Sequence, residues 1–300
     1  MFVSIPARRG SALAVATLVL GTALTGCADA TSTDDTTQVL ASFYPLQYVA
    51  EQIGGDLVTV SSLTPTGAEP HDLELSPAHA RSVGDAGLVV YLSGFQPAVD
   101  DAIEARQPEH VVDAAASADL EQHGEDTDAG LDPHFWLDPL RLAAVAVDVE
   151  AELAAVDPAN ADAYAERADA LVASLTDLDA QLTTGLAECT DRVIVTSHEA
   201  FGYFAERYGF DLVGIAGIDP DTEPSPARLR EVSTIIEDNG VSTIYLERLL
   251  SSKVTDTLAA DVGVATAVLD PLESLSDAGS DYRSVMLTNL ATLRTGQGCA

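Results

Sequence analysis

The chain has 300 residues, 48 of them Asp or Glu and 14 Lys or Arg, for a formal charge of −34. That length supports one large domain or two lobes with their own cores and excludes a peptide or disulfide knot, while the charge repels phosphate backbones and excludes nucleic acid as a partner. Apolar residues make up 47% and aromatics only 5%, so burial rests on Ala, Val and Leu in packed helices and strands, not on a disordered acidic polymer.

The N-terminus carries Arg8 and Arg9, an apolar run from Ser11 to Leu24, then Thr25-Gly26-Cys27. A basic start, an apolar run short of the roughly 20 residues of a membrane span, and small residues ending on a lone Cys describe a lipoprotein export signal over residues 1–26. Cys27 would then be the lipidated first residue, and residues 27–37 a flexible polar tether. An uncleaved anchor helix is the competing reading, and the Arg pair does not decide between the general and the twin-arginine export routes. The remaining Cys189 and Cys299, in an oxidising compartment, are expected to form one disulfide that pins the C-terminus, with two free thiols as the alternative.

From Val39 onward, short β-branched runs alternate with Ala-rich helical stretches, the pattern of a βα chain with parallel sheets. Strands are predicted over 39–42, 57–63, 87–92 and 110–113, and again over 192–196, 211–215, 242–246 and 265–269. The expectation is an α/β fold of two βα lobes with parallel sheets, residues 38–157 and 189–300, with a metal site in the cleft between them. Residues 139–188 read as helix broken once at Asp157-Pro158, since Pro suits the first turn of a new helix. The second helix, in a linking segment 158–188, would run to about Leu186, some 29 residues or roughly 43 Å. Such a helix suggests a stiff strut; a coiled-coil arm is the alternative, weakened by a shortage of sustained heptads. The segment Asp119 to Asp132, rich in acids with His123 as its one imidazole, reads as a solvated loop.

Three of the six histidines stand out by position. His198 follows the strand 192–196 and precedes a helix predicted over 199–208, on the carboxyl rim where open α/β sheets bind ligands; the positive end of that helix favours a neutral, metal-binding imidazole. Glu247 and Asp270 follow the strands 242–246 and 265–269 on the same rim. His71 lies in the loop after the strand 57–63. His134 lies in Asp132-Pro-His-Phe-Trp-Leu-Asp-Pro139, where two prolines restrict the loop and reduce the entropy lost on ordering a site. Spacings of 63, 64 and 72 residues from His71 through His134 and His198 to Asp270 are unlike a zinc finger. A site built from these groups must be assembled from both lobes. His79 and His110 read as structural.

With Gly67-Ala-Glu-Pro-His-Asp72, Asp132-Pro-His-Phe-Trp-Leu-Asp138, Thr196-Ser-His-Glu-Ala-Phe-Gly202, Glu223-Pro-Ser-Pro226 and Leu269-Asp-Pro-Leu272, nearly the whole mature chain resembles the zinc and manganese solute-binding proteins of bacterial ABC importers. That resemblance implies two βα lobes joined by one long helix, a single divalent metal between them, and His71, His134, His198 and Asp270 as ligands. His rather than Glu at the third position implies Zn²⁺, with Mn²⁺ the alternative, and three imidazoles with one carboxylate suit tetrahedral zinc. Unlike many zinc members, this chain lacks a long His-rich loop and keeps only His123 there, which weakens any metal-gathering role. Glu247 would orient a ligand by hydrogen bonding.

The function expected is a monomeric receptor, lipid-anchored to the outer face of the cell membrane, that captures Zn²⁺ and delivers it to an ABC permease. Affinity should fall as pH drops towards about 6, near the imidazole pKa. Two other classes compete: a secreted zinc hydrolase with Glu199 or Glu247 as general base, for which no nucleophile or oxyanion motif is present, and a surface adhesin, which nothing in the sequence specifically supports.

Overall fold

In a computed structural model of the chain, residues 1–4, 36–124, 130–275 and 279–300 are described. The chain divides into two units, Met1–Asp35 and Thr36–Ala300. Of the first, only residues 1–4 are described, and they carry no regular element. The expected export signal, Cys27 and most of the tether therefore lie outside the described residues. Thr37, assigned above to the tether, instead opens the first strand.

The second unit contains two four-stranded parallel sheets. The first takes β1 (Thr37–Ala41), β2 (Val58–Ser62), β3 (Leu88–Tyr91) and β4 (Val111–Asp113) in the order β2-β1-β3-β4. The second repeats that order with β5 (Val193–Thr196), β6 (Asp211–Gly214), β7 (Thr243–Leu246) and β8 (Ala265–Val268), as β6-β5-β7-β8. β3 and β5 read Leu-Val-Val-Tyr and Val-Ile-Val-Thr and are almost wholly buried, as strands covered on both faces must be. Each order reverses direction beside its first strand, so the crevice for a ligand opens at the carboxyl ends around β1/β3 and β5/β7.

Between the lobes in sequence run α4 (Pro139–Val156) and α5 (Ala161–Leu186), separated by a short 3-10 turn at Pro158–Asn160. Asp138 caps α4 by accepting from the Leu140 N–H, and Pro139 occupies the first turn, where its missing donor does no harm. The long helix is thus 26 residues, about 39 Å, shorter than expected because Pro158 starts a 3-10 turn instead. Its buried face is Tyr164, Ala168, Leu171, Leu175, Leu178, Leu182 and Leu186. That spacing of three and four is heptad-like, contrary to the sequence reading, yet its partners belong to the same chain. They are α1 (Tyr44–Gly54) and α4, with α6 (Gly202–Tyr208) and α9 (Tyr282–Gly296) of the second lobe. One hydrophobic core accordingly runs from Phe43 and Leu46 through the α5 leucines to Tyr245 and Met286. Cys189, just past α5, is bridged to Cys299, as expected.

Candidate metal centre

Each expected histidine sits on a loop whose backbone is held by named partners. His71 follows β2 in a turn fixed by buried Gln96, whose side-chain amide donates to Thr64 Oγ1 at 3.0 Å and to the Pro70 carbonyl at 3.1 Å. The Gly67 N–H reaches the other lobe and donates to Ser274 Oγ at 2.7 Å. His134 precedes a 3-10 turn, Phe135–Leu137, in which Trp136 donates its indole N–H to the Pro271 carbonyl at 2.8 Å and receives the Tyr282 hydroxyl on its own carbonyl at 2.6 Å. The lone tryptophan thus staples the His134 segment to the loop after β8. His198 follows β5, its N–H donating to Glu247 Oε1 at 3.0 Å while its Nδ1 lies 2.6 Å from Glu247 Oε2.

The Nε2 atoms of all three rings converge on one carboxylate. His134 Nε2 lies 3.3 Å from His71 Nε2 and 3.4 Å from His198 Nε2. Glu273 Oε1 lies 3.5, 3.1 and 3.3 Å from the three in chain order. Zinc bonds of about 2.0–2.1 Å in a regular tetrahedron place ligand atoms about 3.3–3.4 Å apart along each edge, so these five spacings are close to edges of that polyhedron. Larger Mn²⁺ would require more oxygen donors than this set contains. His134, His198 and Glu273 are sealed from solvent, whereas the His71 side chain keeps 10% exposure. His71 therefore lies on the side of the cluster nearest solvent.

Electrostatics bind the set together. Burial would strip charge from Glu273, but the three imidazoles overcome it and hold the carboxyl well below its usual range. Burial likewise opposes protonation of His198, yet Glu247 and Glu273 raise its pKa well above that of a free imidazole. His134 is raised in the same sense, with Asp132 and Glu273 outweighing burial. These carboxylates, not a helix dipole, dominate at His198; the helix starts only at Gly202. At the rim, burial and the Glu273 charge push Glu69 up to about 8, and its Oε1 accepts the His71 N–H at 3.0 Å.

Asp270, expected as the fourth ligand, is not one of the four gathered groups. Its Oδ1 accepts the Leu272 N–H at 2.9 Å, its own N–H donates to Asn289 Oδ1 at 3.0 Å, and its Oδ2 faces Arg248 Nε at 3.8 Å. It shapes the turn, and Leu272 at φ 59° then turns the chain so that Glu273 enters the cluster. Glu247 lies behind His198, its Oε2 2.6 Å from the ring Nδ1. Asp132 was not anticipated as a functional group: fully buried, it accepts both the His134 N–H at 2.9 Å and the Nδ1–H at 2.7 Å. The signal was a carboxylate two residues ahead of a histidine, a spacing suited to such local bonding. His123 is also not in a plain solvated loop, since its Nδ1 lies 3.0 Å from Asp132 Oδ2. Glu199 is buried and ion-paired with Arg228 at 3.4 Å, away from the cluster. His110 pairs with Glu152 at 2.7 Å.

The sequence profile of the family described as zinc-uptake complex component A, periplasmic (ZnuA), matches residues 39–296. The chain belongs to the ZnuA family. It is 36% identical over 287 residues to the high-affinity zinc uptake system protein ZnuA of Bacillus subtilis (strain 168), covering 90% of this chain and 89% of that one. It superposes on the Zn(II)-bound structure of AdcA from Streptococcus pneumoniae with a TM-score of 0.76 at 32% identity, covering 87% of this chain and 58% of that longer one. The laminin-binding protein Lmb of Streptococcus agalactiae, described as bifunctional with adhesin and metal-transporting activity, matches with a TM-score of 0.78 at 29% identity over 87% of this chain and 99% of that one. Two parallel-sheet lobes with a long helix between them is the fold of the ZnuA relatives.

Proposed function

We infer that this ZnuA-family chain is an extracytoplasmic receptor that captures Zn²⁺ on His71, His134, His198 and Glu273 and hands it to an ABC permease. The donor spacing carries this reading: His134 Nε2 and Glu273 Oε1 each lie 3.1–3.5 Å from the other donors, as edges of a zinc tetrahedron would. Four protein ligands close the coordination sphere, so no position is left for a reacting water, and the chemistry is capture and release without catalysis. Asp132 and Glu247 set the proton on the Nδ1 of His134 and His198, leaving each Nε2 lone pair aimed at the ion. Attachment to the membrane through Cys27, supported by the lipoprotein signal and by the relatives named as lipoproteins, belongs to the proposal, as does a monomeric state.

Competitive chelator titration of residues 28–300 with Zn²⁺ and then Mn²⁺, alongside His198→Glu, tests it. One tight equivalent of Zn²⁺, much weaker Mn²⁺, and a preference eroded in the variant are expected; tighter Mn²⁺ would sink the zinc assignment. The likeness to Lmb supports a second reading, that the surface also adheres to laminin. Retention on immobilised laminin that survives His134→Ala would support it, and no retention of the wild type would remove it.

A further inference from the structure

The zinc ligand His134 is the inner end of a chain of three side chains that leads out of the site. Its Nε2 faces the other ligands, so its Nδ1 carries the proton and donates to Asp132 Oδ1 at 2.7 Å. The opposite oxygen, Asp132 Oδ2, lies 3.0 Å from His123 Nδ1. His123 Nε2 in turn faces Glu206 Oε2 at 3.3 Å, and its ring meets the Tyr203 ring edge-on at 4.4 Å. The surrounding backbone is fixed as well. Tyr203 donates its hydroxyl to the Asp132 carbonyl at 2.8 Å and accepts the Glu121 N–H at 2.7 Å, and the Asp132 N–H donates to the Glu121 carbonyl at 2.8 Å.

A separate observation shows that room is reserved for this pair. A Cβ at Gly202 would stand 2.5 Å from Asp132 Oδ2 and 2.6 Å from His123 Cγ. Any side chain there would drive the imidazole and the carboxylate apart, so the first residue of α6 is small where they meet.

We propose that His123 is a positioning residue for zinc: by donating to the outer oxygen of Asp132 it fixes the carboxylate that orients and polarises His134. The physical reason is saturation of a buried anion. Asp132 is fully buried, and an oxygen that loses a side-chain donor in such a place must find another partner or take up a proton. Either change weakens its hold on the His134 Nδ1–H and with it the basicity and aim of Nε2. Partners of this kind typically change metal affinity by about 10- to 100-fold when they contact the ligand directly; His123 acts one bond further out, so about 3- to 10-fold is expected. The acidic segment therefore contributes through one ordered imidazole and needs no cluster of histidines.

This inference rests on the zinc-receptor reading, and zinc affinities by chelator competition, together with the visible absorption of the Co²⁺-loaded protein, test it. His123→Ala should weaken zinc about 3- to 10-fold and shift the Co²⁺ bands. His123→Asn, whose amide N–H can occupy the Nδ1 position, should restore affinity to within about twofold and return the bands. In an Asp132→Ala background, His123→Ala should have no further effect, since a cycle isolates the coupling. Wild-type affinity in His123→Ala, or an equal loss in the Asp132→Ala background, would overturn the proposal while leaving the receptor reading intact. A wild-type chain that binds no zinc would overturn both.

Discussion

Glu273 and Asp270 lie three residues apart in one loop and meet opposite surroundings, one sealed among three imidazoles and the other shaping the turn beside Arg248. Glu273→Gln keeps the shape of the side chain and removes the anion, so zinc affinity should fall by at least about 100-fold, the upper end of what indirect partners alone produce. Asp270→Asn keeps the turn bond and should change affinity less than about threefold by the same scale; chelator competition on the two variants decides between the carboxylates. Protons compete with the ion at the same ring nitrogens. His134 and His198 bind them more tightly than a free imidazole because neighbouring carboxylates outweigh burial. Zinc must displace those protons, so affinity is full above the raised pKa values and drops as pH falls through them, beginning above the usual value of about 6.5. Titrations at stepped pH should show that early onset, and a flat affinity down to 6.5 would count against it. The three histidines were legible because each stands at a strand end or between prolines. Glu273 was not, because it reaches the site only through a left-handed residue at Leu272 that no spacing reveals. Asp132 was hidden in a run of acids, where composition says solvent and burial says otherwise.

Among the elements, the strands were legible to within a residue or two, since β-branched runs bounded by polar turns have few alternatives in a buried parallel sheet. The limits of α5 were less so: Pro158 signals a start, and whether the first turn is α or 3-10 depends on contacts beyond the sequence. Its leucine stripe has the spacing of a coiled coil, and only the fold shows that both lobes are the partner. Truncating that stripe tests how far the lobes depend on it. Leu178 is fully buried, and Leu178→Ala should destabilise by about 2–5 kcal/mol through lost transfer energy and a residual cavity. Thermal unfolding followed by far-UV circular dichroism and by tryptophan fluorescence should stay coincident, since Trp136 and the α5 leucines share one core. Two separated transitions would show that the lobes melt independently.

At the scale of the molecule, a helix packed into a core shared by both lobes and direct ties between ligand loops, among them Gly67 to Ser274 and Trp136 to Pro271, leave little freedom for a hinge. On the proposed function, zinc release would depend on disturbing the loops, foremost that of His71, the most exposed of the four donor residues. Small-angle scattering of zinc-free and zinc-loaded protein should superpose; a change in radius of gyration beyond error would favour a wide swing of the lobes.

The Cys189–Cys299 bridge spans 110 residues of sequence, so almost the entire second lobe is a covalent ring hung from the end of α5. A protease that cuts once anywhere between the two cysteines leaves the chain in a single piece, with His198 and Glu273 still tethered to the lobe that carries His71 and His134. Such nicked protein should run as one band on a non-reducing gel and as two after a thiol is added. A nick there therefore leaves the chain covalently joined, as one in the first lobe does not.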